Sequence, residues 1–138
     1  MNPKLRLEGL TLTVESVTTS LAFYVGLLGL EAGYVSEPAF ALVKVPGGSI
    51  GLLSVEEARK EGTEVATPAQ RRAVHVEFTT DDLDVLYEEL VAKGVVFDQP
   101  PHDEPWERVM TALDPDGYAV EIAQGRRGQD GAIWQRDG

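Results

Sequence analysis

The residues best suited to chemistry lie in two short stretches of the second half of the chain. One is "AVHVEFTT", in which apolar and polar residues alternate around His75, one of only two histidines. The other is "YAVEIAQ", in which the same alternation surrounds Glu121. A period of two predicts strands that bury their apolar side chains on one face and project His75, Glu77 and Glu121 from the other. We therefore expect an imidazole and two carboxylates to share one face.

Three interpretations of His75 and Glu121 follow from their side-chain types. The pair can act as an acid/base couple, because histidine exchanges protons near neutral pH. It can bind a metal ion, since imidazole and carboxylate groups are both ordinary metal ligands. It can also be structural, with the two side chains satisfying each other through a hydrogen bond. The residues alone leave all three open.

The elements that must position this pair occur twice along the chain. Each half begins with an alternating strand, continues with an amphipathic helix and ends with three short strands separated by turn-forming residues. Ser16 or Ser20 is predicted to cap the first helix, and Gly29 to end it. Asp81 or Asp82 is predicted to cap the second. The apolar residues predicted to pack against the second helix are Val74, Val76, Phe78, Val120 and Ile122.

This repeat predicts an α+β fold built from two tandem βαβββ modules. We expect one domain, residues 1–138, because a chain of this length supports a single core. The predicted parts are a first module at 5–55, a linker at 56–72, a second module at 73–124 and a flexible C-terminal tail at 125–138. Superposing the modules places His75 on Gly9 and Glu121 on Gly51.

The stretches "LAFYVGLLGLE" in the first half and "ALDPDGYAVEI" in the second resemble the vicinal oxygen chelate superfamily. That superfamily includes glyoxalase I, bleomycin resistance proteins, fosfomycin-modifying enzymes and extradiol dioxygenases. The resemblance covers roughly residues 5–124. It implies that the modules form curved half-barrel sheets around a cavity for a small molecule, within one chain or across a homodimer.

The resemblance also implies where a metal would bind. In metal-using members the ligands come from the first and last strands of each module, which here are the positions of Gly9, Gly51, His75 and Glu121. Glycine has no side chain to coordinate a metal, so only His75 and Glu121 remain, and Glu77 is a nearby third oxygen donor. We expect a degenerate site that holds Ni, Zn, Mn or Fe at low occupancy. Glyoxalase I activity itself is disfavoured.

Other residues predict how a ligand is bound. Gly9 and Gly51 enlarge the cavity and allow a ligand to approach the backbone closely. The proline-rich stretch at 98–108 is predicted to be a stiff loop in which Trp106 either stacks on a planar ligand or closes one end of the barrel. Arg108 is predicted to pair with an anionic group, and His102 to face solvent.

Composition narrows the class of partner. Twelve Lys and Arg against 23 Asp and Glu give a net charge of -11, which opposes binding to nucleic acid. Cysteine is absent, which excludes thiolate chemistry, and no apolar run reaches the length of a membrane span. We expect a cytoplasmic homodimer that binds a small molecule, with Ile133 and Trp134 of the tail able to contact a partner. The alternatives are a metal-dependent lyase, isomerase or dioxygenase, and a resistance protein that sequesters a cationic antibiotic.

Overall fold

The computed structural model describes residues 4–125 of the 138-residue chain. The chain divides between Thr67 and Pro68 into two compact units, and each unit carries a four-stranded sheet. No helix within residues 4–125 combines the length and apolar character needed to cross a membrane. The predicted docking residues Ile133 and Trp134 lie outside the described residues.

The first unit begins with a strand and a helix whose boundaries follow local hydrogen bonding. Ser16, one of the two predicted caps, accepts a hydrogen bond from the Thr19 N–H and starts the helix. Gly29 ends it, as predicted, with a φ of +78°. In chain order the elements are β1 (Gly9–Val14), α1 (Val17–Leu21), a π-helical continuation (Ala22–Leu27), β2 (Glu31–Ser36), β3 (Phe40–Val45), β4 (Gly48–Ser54) and α2 (Val55–Glu61).

The second unit repeats this order after a short leading helix. Asp82 caps its main helix by accepting a hydrogen bond from the Val85 N–H, and Gly94 follows the helix end with a φ of +93°. The elements are α3 (Pro68–Ala73), β5 (His75–Thr79), α4 (Leu83–Ala92), β6 (Phe97–Asp103), β7 (Glu107–Leu113) and β8 (Ala119–Gly125). Helix α3 was not predicted, because its short polar sequence has no apolar period.

Each sheet is mixed, with its first and last strands parallel and adjacent. The strand orders are β1-β4-β3-β2 and β5-β8-β7-β6. Gly51 lies opposite Thr11, and Glu121 lies opposite Glu77. The α+β fold with tandem βαβββ-like modules is therefore confirmed. Within each unit, the first and last strands pair in the same register.

The core of each unit lies between its sheet and its helices. In the first unit α1 packs on β3 and β4, and in the second α4 packs on β6, β7 and β8. Each fully buried Leu or Val side chain contributes about 1.5–3 kcal/mol. The most deeply buried core residues include Leu12, Val14, Tyr24, Val43 and Leu52 in the first unit, and Leu83, Met110, Tyr118 and Val120 in the second. Because apolar side chains occupy the helix side of β5 and β8, the intervening residues project from the other face.

Two local predictions were wrong. The predicted loop at 98–108 is in large part strand β6, which continues through Pro100 and Pro101 to Asp103. Strand β6 is the edge of its sheet, where prolines are tolerated, and its register shifts twice against β7. Val74, predicted to pack against α4, is 37% exposed because β5 begins only at the next residue.

Candidate functional site

The second sheet places His75 and Glu121 in direct contact. The Nδ1 atom of His75 lies 3.0 Å from Oε2 of Glu121. The two residues lie on the adjacent parallel strands β5 and β8, whose apolar residues Val76, Val120 and Ile122 are buried. The His75 side chain is 54% exposed and that of Glu121 is 22% exposed. Both groups are therefore accessible to a ligand while their strands are anchored by the core.

Glu77 completes a set of three possible metal ligands. It lies opposite Glu121 in the strand register and two residues after His75, on the same face of β5. One donor atom from each of these three side chains lies within 4.8 Å of the other two. We call this face of the second sheet, defined by His75, Glu77 and Glu121, the polar face. One imidazole nitrogen and two carboxylates form a donor set that suits a divalent cation.

Glu107 adds negative charge to the polar face. It lies on β7 in the same alternation as Thr111, which is opposite Glu121. The pKa of Glu107 is raised, first because the carboxyl is partly buried and then because the charges of Glu121, Glu77 and Glu104 oppose its ionisation. Several carboxylates held close together stabilise a cation placed among them. The alternation along β7 was a signal for Glu107 that sequence reasoning missed.

The structure does not bring Arg108 to the polar face. Its guanidinium binds Asp84 at the start of α4 through two hydrogen bonds, of 3.1 Å from Nε and 2.9 Å from Nη2. A further contact of 3.4 Å joins it to Asp103. Gln124, opposite Arg108 in the register, accepts a hydrogen bond from the Leu83 N–H, so both side chains face α4. The bond from Arg108 lowers the pKa of Asp84, and this network fastens the helix to the sheet.

Trp106 and His102, the other two residues of the β6–β7 region discussed in the sequence analysis, have different surroundings. Trp106 is 54% exposed in the turn, which the Glu104 N–H closes by donating to the Glu107 carbonyl. The ring of His102 is held within 2.9 Å of the Pro100 carbonyl oxygen and 3.3 Å of a Glu104 carboxylate oxygen. Trp106 thus offers an accessible aromatic surface, whereas His102 has partners on its own strand and turn.

Gly9 and Gly51 line a cavity in the first unit. The cavity measures about 400 Å³ and is bordered by Thr11, Phe40, Leu42 and Ser49 in addition to the two glycines. A Cβ atom at Gly9, where φ is +156°, would overlap the carbonyl oxygen of Ser49.

Gly9 is therefore required by the packing of the first sheet, whereas a side chain at Gly51 would need its neighbours to shift. A Cβ atom at Gly51 would lie 2.8 Å from Oγ1 of Thr11 and 3.3 Å from the Phe40 ring. Contacts this short would force the neighbouring side chains to move. Sequence reasoning missed this steric role, and with it Thr11 and Phe40.

Comparison with known proteins agrees with this architecture. The family model of the Glyoxalase/Bleomycin resistance protein/Dioxygenase superfamily matches residues 6–122. The chain belongs to this superfamily. It is 31% identical over 125 residues to the uncharacterized protein YraH of Bacillus subtilis (strain 168), an alignment that covers 86% of this chain and 97% of the relative.

Solved structures extend the match to the three-dimensional fold of the superfamily. A glyoxalase/bleomycin resistance protein/dioxygenase from Nocardioides has a TM-score of 0.79 and 26% identity, covering 100% of this chain and 93% of that one. A glyoxalase-related enzyme from Fulvimarina pelagi has a TM-score of 0.73 and 21% identity, covering 96% and 99%. The second likeness is one of fold alone. Membership in the superfamily fixes the scaffold, whereas the reaction depends on the site.

Proposed function

We propose that this superfamily member binds a small organic molecule at the polar face, with a divalent cation held by His75, Glu77 and Glu121. The observation that carries the proposal is the convergence of the three donor atoms within 4.8 Å of one another. The raised pKa of Glu107 lends further support: burial is its first cause, but the charges of Glu121 and Glu77 add to it, and those charges would stabilise a cation.

The chain's own residues have distinct parts in this function. The Glu121 carboxylate, 3.0 Å from Nδ1, orients the His75 ring, and the less exposed position of Glu121 makes it the firmer anchor of the two. Glu77 supplies the opposing carboxylate. A bound divalent cation would act as a Lewis acid toward oxygen atoms of the organic ligand. Three protein donors are fewer than a tight structural site uses, so affinity for the ion alone is modest and rises when an oxygen-bearing ligand is present.

Calorimetric titration of the metal-free protein with Mn²⁺ and Zn²⁺ tests this proposal. We expect one ion per chain with a dissociation constant on the order of micromolar, weaker than a closed four-ligand zinc site. His75→Ala should weaken binding at least about 10-fold, and the matched variant His102→Ala should not. The carboxylates allow the same comparison: Glu121→Gln should weaken metal binding, and Glu89→Gln on the exposed side of α4 should not. Equal effects of the two histidine variants, or no saturable binding, would refute the proposal.

A second candidate function is ligand binding by His75 and Glu121 without a metal. The direct 3.0 Å contact favours it, because the two groups already form a couple able to exchange a proton. A thermal-shift screen in excess EDTA separates the two functions, since a ligand that binds the folded chain raises its melting temperature. A ligand that is equally effective with and without EDTA supports the metal-free function. Chemical analysis of that ligand after incubation then distinguishes sequestration from turnover by a lyase, isomerase or dioxygenase.

A further inference from the structure

We propose that the C-terminal segment, residues 126–138, docks on the polar face of its own chain and competes there with a cation. The segment lies outside the described residues, and its sequence carries three arginines, two aspartates and the apolar pair Ile133 and Trp134. Docking depends only on the geometry and charge of the polar face. Competition with a metal ion rests, in addition, on the proposed function.

The segment starts at the end of the polar face. Strand β8 ends at Gly125, which lies directly opposite Glu107 on β7. Gly125 belongs to the same alternation along β8 as Glu121, so both positions are on the polar face. Arg126 and Arg127 follow Gly125 directly in the chain. Two cationic residues are therefore tethered beside a half-buried carboxylate.

The charges of the polar face and of these two arginines are complementary. Four carboxylates lie on or beside the polar face, those of Glu77, Glu104, Glu107 and Glu121. Burial first, and then the charges of the other three, raise the pKa of Glu107. Among residues 4–125, no lysine or arginine forms an ion pair with Glu77 or Glu107. A guanidinium can bind a carboxylate through two parallel hydrogen bonds, so the arginines of the segment supply the charge that this surface attracts.

The segment is long enough to return to Trp106, the exposed aromatic residue beside its starting point. Trp106 is 54% exposed and precedes Glu107, the residue opposite Gly125. Trp134 is nine residues after Gly125, a length typical of compact surface loops of roughly 6–16 residues whose ends lie close together. Aromatic rings attract each other in offset or edge-on arrangements. Packing of Trp134 on Trp106 would hold such a loop closed over Glu107.

A docked segment weakens cation binding at the polar face. Glu121 is four residues before Gly125, which corresponds to about 13 Å along β8. Guanidinium charges at this distance or closer oppose the approach of a divalent ion, although solvent and salt screen part of the effect. The arginines also occupy carboxylates whose charge would otherwise attract the ion. Release of the segment should therefore increase metal affinity.

Paramagnetic relaxation measurements by NMR test docking on the full chain in EDTA. Because the chain has no cysteine, Ala132→Cys places a single nitroxide spin label beside the apolar pair. The label should broaden the amide signals of Glu107 and Glu121, and leave that of Val91 on the exposed surface of α4 unchanged. In about 0.5 M NaCl the broadening should fall at least about two-fold, because salt screens the ion pairs. Equal broadening of Val91, or none on the polar face, would overturn the proposal.

A mixed sample separates docking within one chain from exchange of the segment between two copies. Spin-labelled chain without isotope is mixed with isotope-enriched chain without the label. Docking within one chain predicts no broadening of Glu107 in this mixture. Broadening of Glu107 in the mixed sample would contradict it, because the label would then act from a second copy.

Matched substitutions test the two arginines. Arg126→Gln combined with Arg127→Gln should reduce the broadening of Glu107 at least about two-fold, and Arg136→Gln should leave it unchanged. The double variant should also bind Zn²⁺ about two- to three-fold more tightly than the unsubstituted chain. Unchanged broadening in the double variant would overturn the assignment of docking to these arginines. Reduced broadening with unchanged Zn²⁺ affinity would contradict competition with the metal, and the measurements in EDTA decide docking even if no metal binds.

Discussion

The two units use one strand register to present opposite kinds of chemistry. In the first unit the paired positions hold Thr11 and Gly51, and in the second they hold Glu77 and Glu121. Two residues earlier on the first strand, Gly9 in one unit corresponds to His75 in the other. The first unit thus has a cavity in which Glu8 is the one charged residue among the described residues of the lining, and the second has three convergent side chains that could hold a metal ion.

The neighbouring strand explains how each arrangement is tolerated. Leu42 lies opposite Gly51 and Thr111 lies opposite Glu121, so Phe40 occupies the position that Val109 has in the second unit. The Phe40 ring covers Gly51. At the corresponding positions the second unit has the smaller side chain of Val109 and the carboxylate of Glu121. A duplicated scaffold can therefore hold a glycine-lined cavity in one copy and a cluster of titratable side chains in the other, with the same backbone pairing.

Exchanging the residues at the corresponding positions Gly9 and His75 should have the largest effect on stability. Gly9→His places a Cβ where the Ser49 carbonyl oxygen lies, at a φ that side chains rarely adopt. We expect it to reduce the free energy of unfolding by roughly 3 kcal/mol or more. The reverse exchange, His75→Gly, affects an exposed residue and should cost only about 1 kcal/mol. Urea denaturation of both variants measures the asymmetry, and equal losses would show that the units tolerate side chains alike.

A substitution at Phe40 should have an intermediate effect on stability, and it tests the same comparison between the two units. Phe40→Val converts the first unit to the residue found in the second, and removes a half-buried ring from beside Gly51. A loss of about 1–2 kcal/mol is expected, less than for a fully buried ring. The same variant should leave the affinity for Zn²⁺ unchanged, because Phe40 is not among the three proposed ligands. A parallel loss of Zn²⁺ binding would contradict the assignment of the metal to the second unit.

Removing one charge from the polar face should have the smallest effect on stability. The folded chain raises the pKa of Glu107 above its unfolded value, so the folded state holds this proton more tightly than the unfolded state does. The ionised carboxyl therefore destabilises the protein above the folded-state pKa, and the penalty disappears as the pH falls through it. Glu107→Gln should raise the free energy of unfolding at pH 7 by roughly 0.5 kcal/mol, a value reduced by solvent screening. Melting curves at pH 7 and pH 4 should show a gain at neutral pH that shrinks in acid.

The sequence predicted the repeat and the polar face because both depend on alternation along strands. Hydrophobic alternation fixes which side chains share a face, so His75, Glu77 and Glu121 were placed together before any contact was known. Cap residues such as Asp82 and Gly29 indicated where the second helix begins and where the first one ends. These signals are local, and the structure preserves them.

The features that sequence reasoning missed depend on pairing between distant segments. The register shifts in β6 help place Asp103 beside Arg108, which also binds Asp84 of α4. The close approach of Gly9 to Ser49 and of Gly51 to Phe40 exists only once β1, β3 and β4 are aligned. A glycine in a sequence does not reveal which backbone or side-chain atom requires it.

The proposal that divalent metal binding involves His75 and not His102 is tested most directly by nitrogen NMR of the two imidazole rings during a Zn²⁺ titration. One equivalent of Zn²⁺ should shift the His75 ring nitrogens, with the change complete at about one ion per chain, because this ring is the nitrogen donor of the three-ligand cluster. The His102 signals should stay in place. Movement of both rings together, or of His102 alone, would contradict the assignment of metal binding to His75, Glu77 and Glu121.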